Sequence, residues 1–193
     1  MEYTKTENGI LLPNYQIYVK PTELDISRRK YEGYQKLAEI KQWGLRYPTR
    51  FMKEFLGVEL LDAQEYVFMN SWTKPFALWL ESRASGKTTM LALFAMVRGL
   101  LLNNYRIYIC SGTADQSQET FKKIEDIALK NIESMTGLTD VFKDEVEIAQ
   151  ANSNGFIHNP MGFTYKLYNG SFVKTLNSNI NAKRGKLYSL VGC

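Results

Sequence analysis

The chain has 193 residues, of which 45% are hydrophobic and 23% charged, and its formal net charge is +4. This length supports one substantial core and is too short for two large domains, and the composition excludes a disordered or fibrous chain. Two cysteines, Cys110 and Cys193, cannot form a disulfide framework and lack the spacing of zinc ligands. The most apolar run, residues 90–102, is shorter than the roughly 20 residues of a membrane span, and the N-terminus lacks an apolar signal core. We therefore expect neither a membrane span nor export.

Charge is distributed unevenly along the chain. No acidic residue follows Glu147, and the basic residues after it are Lys166, Lys174, Lys183, Arg184 and Lys186. A basic surface of this kind can meet the phosphates of a nucleic acid or a nucleotide, or it can be a solvated face. The charge alone does not decide between these interpretations.

The first third of the chain is predicted to be an extended arm followed by three helices. Residues 1–27 mix polar and aromatic side chains and form the arm, and residues 28–42 show the spacing of an amphipathic helix. A second helix is predicted over residues 48–57, ended by Gly57, and a third over residues 61–72.

A strand, helix, strand, helix pattern follows, which is typical of a βαβ unit. Residues 76–81 are a continuous apolar run that predicts a strand buried on both faces of a parallel sheet. We predict a helix over residues 87–103 that other elements cover, a buried strand over 106–112, and a helix over 115–132 with Asp115 as its N-cap.

The last part of the chain predicts a β-hairpin. Two alternating apolar runs flank Asn169 and Gly170, a pair that favours a type I′ turn, and a final strand is predicted over residues 187–193. The aromatic side chains of Tyr165, Tyr168 and Phe172 are interpreted as one packed face of the hairpin rather than a base-stacking surface. His158 is the single histidine, and we interpret it as a loop or packing residue.

The connection between the strand at 76–81 and the following helix carries the strongest chemical signal. Its sequence is SRASGKT, residues 82–88, and it links a buried-type strand to a helix as a phosphate-binding loop does. Backbone N–H groups of such a loop and the N-terminus of the helix point at one spot, which favours bound phosphate. Lys87 would reach the β- and γ-phosphates, the Thr88 hydroxyl would bind Mg²⁺, and Gly86 would allow a close backbone approach. The alternative is an incidental turn between a strand and a helix.

Residues 82–89, SRASGKTT, resemble the variant loop of the large terminase subunits of tailed bacteriophages, in which an arginine commonly replaces a loop glycine or alanine. The usual first glycine of the motif is Glu81 here. The resemblance implies that Arg83 acts in cis on the γ-phosphate, where a guanidinium can stabilise the charge of the transferring phosphoryl group. A salt bridge at the rim of the loop is the alternative role for Arg83.

Further segments resemble this family in the same order. Residues 60–68, LLDAQEYVF, resemble its adenine-recognition segment, in which Gln64 would pair with the N6/N7 edge of adenine. Ser111 and Thr113 are expected to line the carboxyl edge of the sheet. Residues 168–186 resemble the stretch that carries Arg184-Gly185 just before the Walker B strand. The candidate nucleotide-binding residues are Gln64, Ser82, Arg83, Ala84, Ser85, Gly86, Lys87, Thr88 and Thr89.

The resemblance implies an α/β fold of the P-loop type, similar to RecA, with a mostly parallel sheet flanked by helices and a β-hairpin near the C-terminus. Residues 1–44 would form the arm and first helix, and residues 45–193 the ATPase domain. The implied function is an ATP- and Mg²⁺-dependent motor that drives double-stranded DNA into a procapsid in the host cytoplasm, with Lys87 and Arg83 as catalytic residues. The implied partners are the portal protein and the small terminase subunit, and a homo-oligomer in the motor is allowed.

One part of the family pattern is missing. ATP hydrolysis needs carboxylates at the end of a second strand to hold Mg²⁺ and to orient the attacking water. The family carries them as an Asp-Glu pair, whereas this chain reads Leu190-Val191-Gly192-Cys193. We therefore expect an incomplete ATPase domain that is truncated before the Walker B carboxylates and lacks the nuclease domain. Two alternatives stay open: a helicase-like P-loop ATPase, and a nucleotide-binding chain that does not hydrolyse ATP.

Overall fold

The computed structural model describes residues 3–5, 11–13, 28–80, 82, 85–111, 113–148, 153–160, 162–176 and 190–192. The helices are α1 (Arg28–Arg46), α2 (Pro48–Phe51), a π-helical segment (Met52–Leu56), α3 (Asp62–Trp72), α4 (Lys87–Leu101), α5 (Ala114–Ala128) and α6 (Val141–Asp144). The strands are β1 (Tyr3–Lys5), β2 (Leu11–Pro13), β3 (Arg106–Cys110), β4 (Ile157–Asn159), β5 (Gly162–Lys166), β6 (Phe172–Leu176) and β7 (Leu190–Gly192).

The main sheet is mixed, with the strand order β4-β5-β6-β3-β7. Strand β3 runs parallel to both β6 and β7, whereas β4, β5 and β6 pair antiparallel. The α/β class is thus confirmed, but within the described residues the sheet is not mostly parallel. The physical reason is the hairpin: strands joined by a tight turn must pair antiparallel, and this hairpin is part of the main sheet. A separate pair, β1 and β2, is also antiparallel.

Most predicted helices form within a few residues of their expected bounds. Helix α1 extends to Arg46, and Leu45 near its end lies in the core. The helical stretch after Pro48 ends at Gly57, which adopts the left-handed conformation with φ of 72°, as the sequence predicts. Helix α5 begins one residue before Asp115, and its N-cap is Thr113, whose Oγ1 accepts a hydrogen bond from the Gln116 N–H at 3.4 Å. The expected cap at Asp115 is wrong because Thr113 holds the extended backbone that a cap requires.

Residues 76–80 do not form the buried strand that their apolar run predicts. The segment is irregular, and the side chains of Phe76, Leu78 and Leu80 are 92%, 81% and 85% exposed. Only Trp79 packs on the core, where its Nε1 donates to Ser71 Oγ at 2.6 Å. The prediction of this strand is wrong because an apolar run forms a buried strand only where neighbours cover both faces. Among the described residues, no strand pairs with this segment.

The hairpin joins β5 to β6 through the five residues 167–171. The Leu167 N–H donates to the Ser171 carbonyl at 2.8 Å, and the Gly170 N–H donates to the Leu167 carbonyl at 2.9 Å. Gly170 has φ of 82°, whereas Asn169 has no positive φ. A type I′ turn needs positive φ at both central residues, so the predicted turn type is wrong although the hairpin itself forms.

The side chain of Asn169 explains the different turn. Its Nδ2 donates to the carbonyl oxygens of Gly99 at 2.7 Å and Leu100 at 3.2 Å, and its Oδ1 accepts from the Ser171 N–H at 2.9 Å. The last carbonyls of a helix lack intrahelical hydrogen-bond donors, and the Asn169 amide supplies a donor to them at the end of α4. The hairpin tip is therefore fixed to the end of that helix.

Helix α4 lies at the centre of the core and packs against α1, α3, α5, β3 and β6. Ten of its fifteen residues are buried, which confirms the prediction of a covered helix. Within this apolar environment the guanidinium of Arg98 lies 4.8 Å from the Trp72 ring centroid and 4.9 Å from that of Phe94. It also donates hydrogen bonds to the Trp72 carbonyl and, at 2.8 Å, to the Tyr105 hydroxyl. Arg98 thus ties the end of α3 to α4 and to the residue before β3.

The hairpin aromatics do not share one face, contrary to the prediction. Tyr165 is fully buried among Phe121, Phe142 and Phe156 in the main core. Phe172 instead packs with Tyr108 in a smaller cluster, and Tyr168 is exposed at the turn. These positions favour packing over base stacking for Tyr165 and Phe172.

We predict that Tyr165→Phe stabilises the protein. The Tyr165 hydroxyl is buried and has no hydrogen-bond partner among the described residues, so its removal should raise the unfolding free energy by about 1–2 kcal/mol. Burial also raises the pKa of Tyr165. The unfolded state can release this proton above about pH 10 and the folded state cannot, so the variant's advantage should widen there. Urea denaturation at pH 7 and at alkaline pH measures both effects, and the exposed Tyr168→Phe is the control.

In the part of the chain that the structure describes, no helix combines the length and the apolar character needed to cross a membrane.

Candidate functional site

The candidate site is the N-terminus of α4. The helix begins at Lys87, and the residue before it, Gly86, is in the left-handed conformation with φ of 89° and ψ of 15°. No described side chain caps this helix start, and the first helical hydrogen bond there joins the Met90 N–H to the Gly86 carbonyl at 2.9 Å. The N–H groups of the first helical turn therefore lack intrahelical acceptors, and they carry the positive end of the helix dipole.

The structure describes part of the predicted loop. Ser85, Gly86 and Lys87 are half-buried, whereas Thr88 and Ser82 are exposed. Thr89 is half-buried one residue further along the helix. The predictions for Arg83 and Ala84, and the alternative salt bridge with Glu81, lie outside the described residues, as do those for Arg184 and Gly185.

Gln64 lies directly beside this loop. Its Nε2 donates to the Ser85 carbonyl at 3.1 Å, and its Oε1 accepts from the Leu61 N–H at 3.2 Å. A Cβ placed on Gly86 would come within 3.0 Å of the same Nε2. The structure therefore brings together two segments that the sequence separates by 21 residues. A primary amide offers two N–H donors and two acceptor lone pairs, so these two hydrogen bonds leave one of each that no described residue is shown to use.

The course of the chain places this site at the carboxyl end of β3. Helix α4 ends at Leu101, β3 begins at Arg106, and the two elements pack against each other. A helix that returns to an adjacent strand through so short a connection runs antiparallel to it. The N-terminus of α4 thus points towards the end of the sheet where β3 and its parallel neighbours finish, the location of ligands in open α/β sheets.

Ser111 and Thr113 occupy the same edge, as expected. Ser111 directly follows β3, and its hydroxyl donates to the Thr113 carbonyl. Thr113 in turn begins α5 as its N-cap. Two helices, α4 and α5, therefore begin at this end of the sheet.

The described part of the site fits a phosphate group better than it fits a complete metal centre. The features that favour an anion are a left-handed glycine, a helix start that no described side chain caps, and a lysine at the first helical position. For Mg²⁺, the exposed Thr88 hydroxyl is the ligand predicted from the sequence. No group of three or more His, Cys, Asp or Glu side chains that could hold a metal ion occurs among the described residues.

His158 has a carboxylate partner that the sequence does not indicate. Its Nε2 lies 2.7 Å from Glu125 Oε2 on α5, and Glu125 is only 13% exposed at its side chain. The Asn154 Nδ2 donates to the other carboxylate oxygen at 3.1 Å. The His158 ring also packs on Phe163, with 4.6 Å between centroids. These contacts support the interpretation of His158 as a packing residue, here joining β4 to α5.

No protein-family model matches the chain, and no curated protein matches it significantly. The functional argument therefore depends on the geometry around the start of α4.

Proposed function

We propose that residues 85–88 and the N-terminus of α4 bind the phosphates of ATP·Mg²⁺. The observation that carries the proposal is the left-handed Gly86 at a helix start that no described side chain caps, in contact with the Gln64 side chain. Gly86 keeps side-chain atoms away from the space where a phosphate would approach the backbone amides. An incidental turn would not need a neighbouring amide side chain held at hydrogen-bond distance.

Each residue of the site has a distinct role in this proposal. The Lys87 ammonium group neutralises charge on the β- and γ-phosphates, and the Thr88 hydroxyl contributes to the Mg²⁺ site. Gln64 uses its remaining N–H and lone pair on the adenine edge. Arg83, by resemblance to the terminase loop, acts on the γ-phosphate. The metal ion would neutralise charge on the phosphate oxygens when bound.

A P-loop fold also requires a strand before the loop, and residues 76–80 are its candidate. Phe76, Ala77, Leu78 and Leu80 are all exposed and only Trp79 packs on the core, so the exposure of this segment does not follow the alternation of a strand. The proposal therefore rests on the start of α4 and its contact with Gln64, and not on a strand at residues 76–80.

At a finer level we propose an ATP-driven motor that moves double-stranded DNA into a procapsid, in contact with a portal protein and a small terminase subunit. This proposal depends on the order of the loop, the glutamine segment and the Arg184-Gly185 stretch along the sequence. The basic residues after Glu147 support a phosphate-bearing partner.

The second candidate is a chain that binds nucleotide without hydrolysing it. It uses the same phosphate contacts at the start of α4 and differs from the first candidate only in turnover. A helicase-like ATPase, the remaining alternative, would need carboxylates that hold Mg²⁺ and orient the attacking water. Binding and turnover must therefore be measured separately.

Gly86→Ala tests the proposal with a small change. A Cβ at positive φ costs roughly 1–2 kcal/mol and would push the Gln64 amide away from the loop, so we expect Mg·ATP affinity to fall about tenfold. Isothermal titration calorimetry measures binding, and phosphate release measures turnover. The control is Gly33→Ala, because a Cβ there meets nothing within 4 Å. Equal affinity of wild type and Gly86→Ala, or no binding by the wild type, would contradict the phosphate site.

A further inference from the structure

A groove lies between α1 and the π-helical segment, on residues that the proposed nucleotide site does not use. Its volume is about 320 Å³, and it is lined by Glu39, Ile40, Trp43, Glu54 and Phe55. Two carboxylates and two aromatic rings thus share one small surface depression. The depression differs from an apolar groove because two negatively charged side chains lie beside its aromatic rings.

The aromatic part of the groove is held by neighbouring rings. The Trp43 and Phe55 ring centroids are 6.4 Å apart, and Phe55 stacks on the buried Phe51 with 4.7 Å between centroids. Trp43 also lies 6.2 Å from Tyr47. The rings are therefore fixed by packing while Trp43 and Phe55 remain half-buried at the surface.

No described side chain pairs with either carboxylate of the groove. Glu39 and Glu54 are exposed, and neither has an ion-pair or hydrogen-bond partner among the described residues. Among the cations on these helical segments, the Arg50 guanidinium lies 5.5 Å from the Tyr47 ring centroid, Lys53 pairs with Glu59 at 2.5 Å, and Lys36 is exposed one turn before Glu39 and Ile40 on α1. The described lining of the groove therefore carries two carboxylates and no lysine or arginine.

The backbone on one side of the groove is unusual. Glu54 and Phe55 belong to the π-helical segment Met52–Leu56, which ends at the left-handed Gly57. π-Helical turns are rare and occur frequently at functional sites, because they redirect side chains that an α-helix would place elsewhere. Exposed apolar surface continues from the groove along α1 through Leu37 and Tyr34, which are 46% and 42% exposed.

We propose that this groove binds a basic segment of a partner protein, with an arginine or lysine side chain against Trp43 and Phe55 and its charge balanced by Glu39 and Glu54. Cations are attracted to aromatic rings, and carboxylates add charge complementarity to that attraction. The two carboxylates would repel an acidic segment, and a neutral apolar segment would leave their negative charge without a partner. Apolar residues beside the cation would contact Leu37 and Tyr34.

The test uses the full chain and the peptide acetyl-Arg-Leu-Leu-Arg-amide, followed by the NMR signal of the Trp43 indole N–H. We expect saturable binding in low salt, and about a fivefold or greater loss of affinity in Glu39→Gln/Glu54→Gln. The control is Glu119→Gln/Glu133→Gln, which removes the same charge from exposed positions on α5 and the loop after it and should leave affinity unchanged. The acidic peptide acetyl-Glu-Leu-Leu-Glu-amide should not bind.

Four outcomes would overturn the proposal: no shift of the Trp43 signal up to millimolar peptide, equal binding by both double variants, binding of the acidic peptide, or self-association through the groove. Sedimentation equilibrium detects the last of these as a dimer that the Glu39→Gln/Glu54→Gln variant loses. Both substitutions keep side-chain shape at exposed positions, so a change in binding without a change in melting temperature reports on the site itself.

Discussion

Lys87→Ala is expected to lower Mg·ATP affinity by about 100-fold or more. Hydrogen bonds between charged groups contribute about 1.5–3 kcal/mol each, and a lysine that bridges two phosphates loses both when truncated. Lys87 begins α4 immediately after Gly86, so in the proposed site its backbone N–H and its side chain would contact the same anion. Calorimetric titration of wild type and variant with ATP in the presence of Mg²⁺ measures the loss.

The nucleotide series makes this prediction sharper. Because Lys87 would contact the β- and γ-phosphates, its removal should weaken the binding of ATP and ADP far more than the binding of AMP. Lys122→Ala, at an exposed position of α5, removes the same charge from another helix and should leave affinity nearly unchanged. A uniform loss for all three nucleotides, or a loss in Lys122→Ala as well, would indicate a diffuse charge effect instead of a phosphate contact.

The helical part of the fold is predictable from the sequence because its signals are local. The spacing of apolar residues indicates α1, α3, α4 and α5, and Gly57 ends the second helical stretch in the left-handed conformation that glycine tolerates. The apolar run predicted as a strand over residues 106–112 likewise contains the buried strand β3. These elements depend on nearest neighbours along the chain, so a pattern of a few residues determines them.

The errors arise where distant residues decide the outcome. Residues 76–80 have the composition of a central strand, but composition does not specify which strands pair with it. The hairpin turn depends on Asn169, whose amide bonds to carbonyls of α4 some 70 residues earlier. The mixed sheet follows from the place of that hairpin beside β3. Each case requires tertiary contacts that no local pattern contains.

The candidate site likewise has one part that a local pattern predicts and another that depends on distant residues. Residues 85–88 are recognisable from the sequence because glycine, lysine and threonine at the start of a helix have a direct chemical meaning. The contact of Gln64 with Ser85 joins α3 to this loop, and the sequence indicates it only through the family resemblance. The groove at Glu39 and Phe55 gives no recognisable pattern, because its residues come from two helical segments that meet only in the fold.

Gly57→Ala is expected to lower the unfolding free energy by about 4 kcal/mol or more, a large fraction of the 5–15 kcal/mol of an ordinary domain. A Cβ at Gly57 would lie 1.6 Å from the Gly137 carbonyl oxygen, and the residue has φ of 72°. The Thr139 N–H donates to the Leu56 carbonyl at 3.3 Å, and the Thr139 hydroxyl donates to the Phe55 carbonyl, so two hydrogen bonds hold this loop against the π-helical segment. Neither backbone can move away without breaking them.

Two other glycines separate this backbone collision from the general effect of adding a methyl group. Gly33→Ala, in open space on α1, should stabilise by up to about 1 kcal/mol because alanine favours the helix. Gly137→Ala should fall between the two, since its Cβ would lie 2.8 Å from the Gly57 carbonyl oxygen without a positive φ. Urea denaturation of the three variants should therefore give a falling order of stability from Gly33→Ala through Gly137→Ala to Gly57→Ala. A Gly57→Ala protein as stable as wild type would mean that the Gly57 and Gly137 backbones do not meet, and the π-helical segment would then have to end differently.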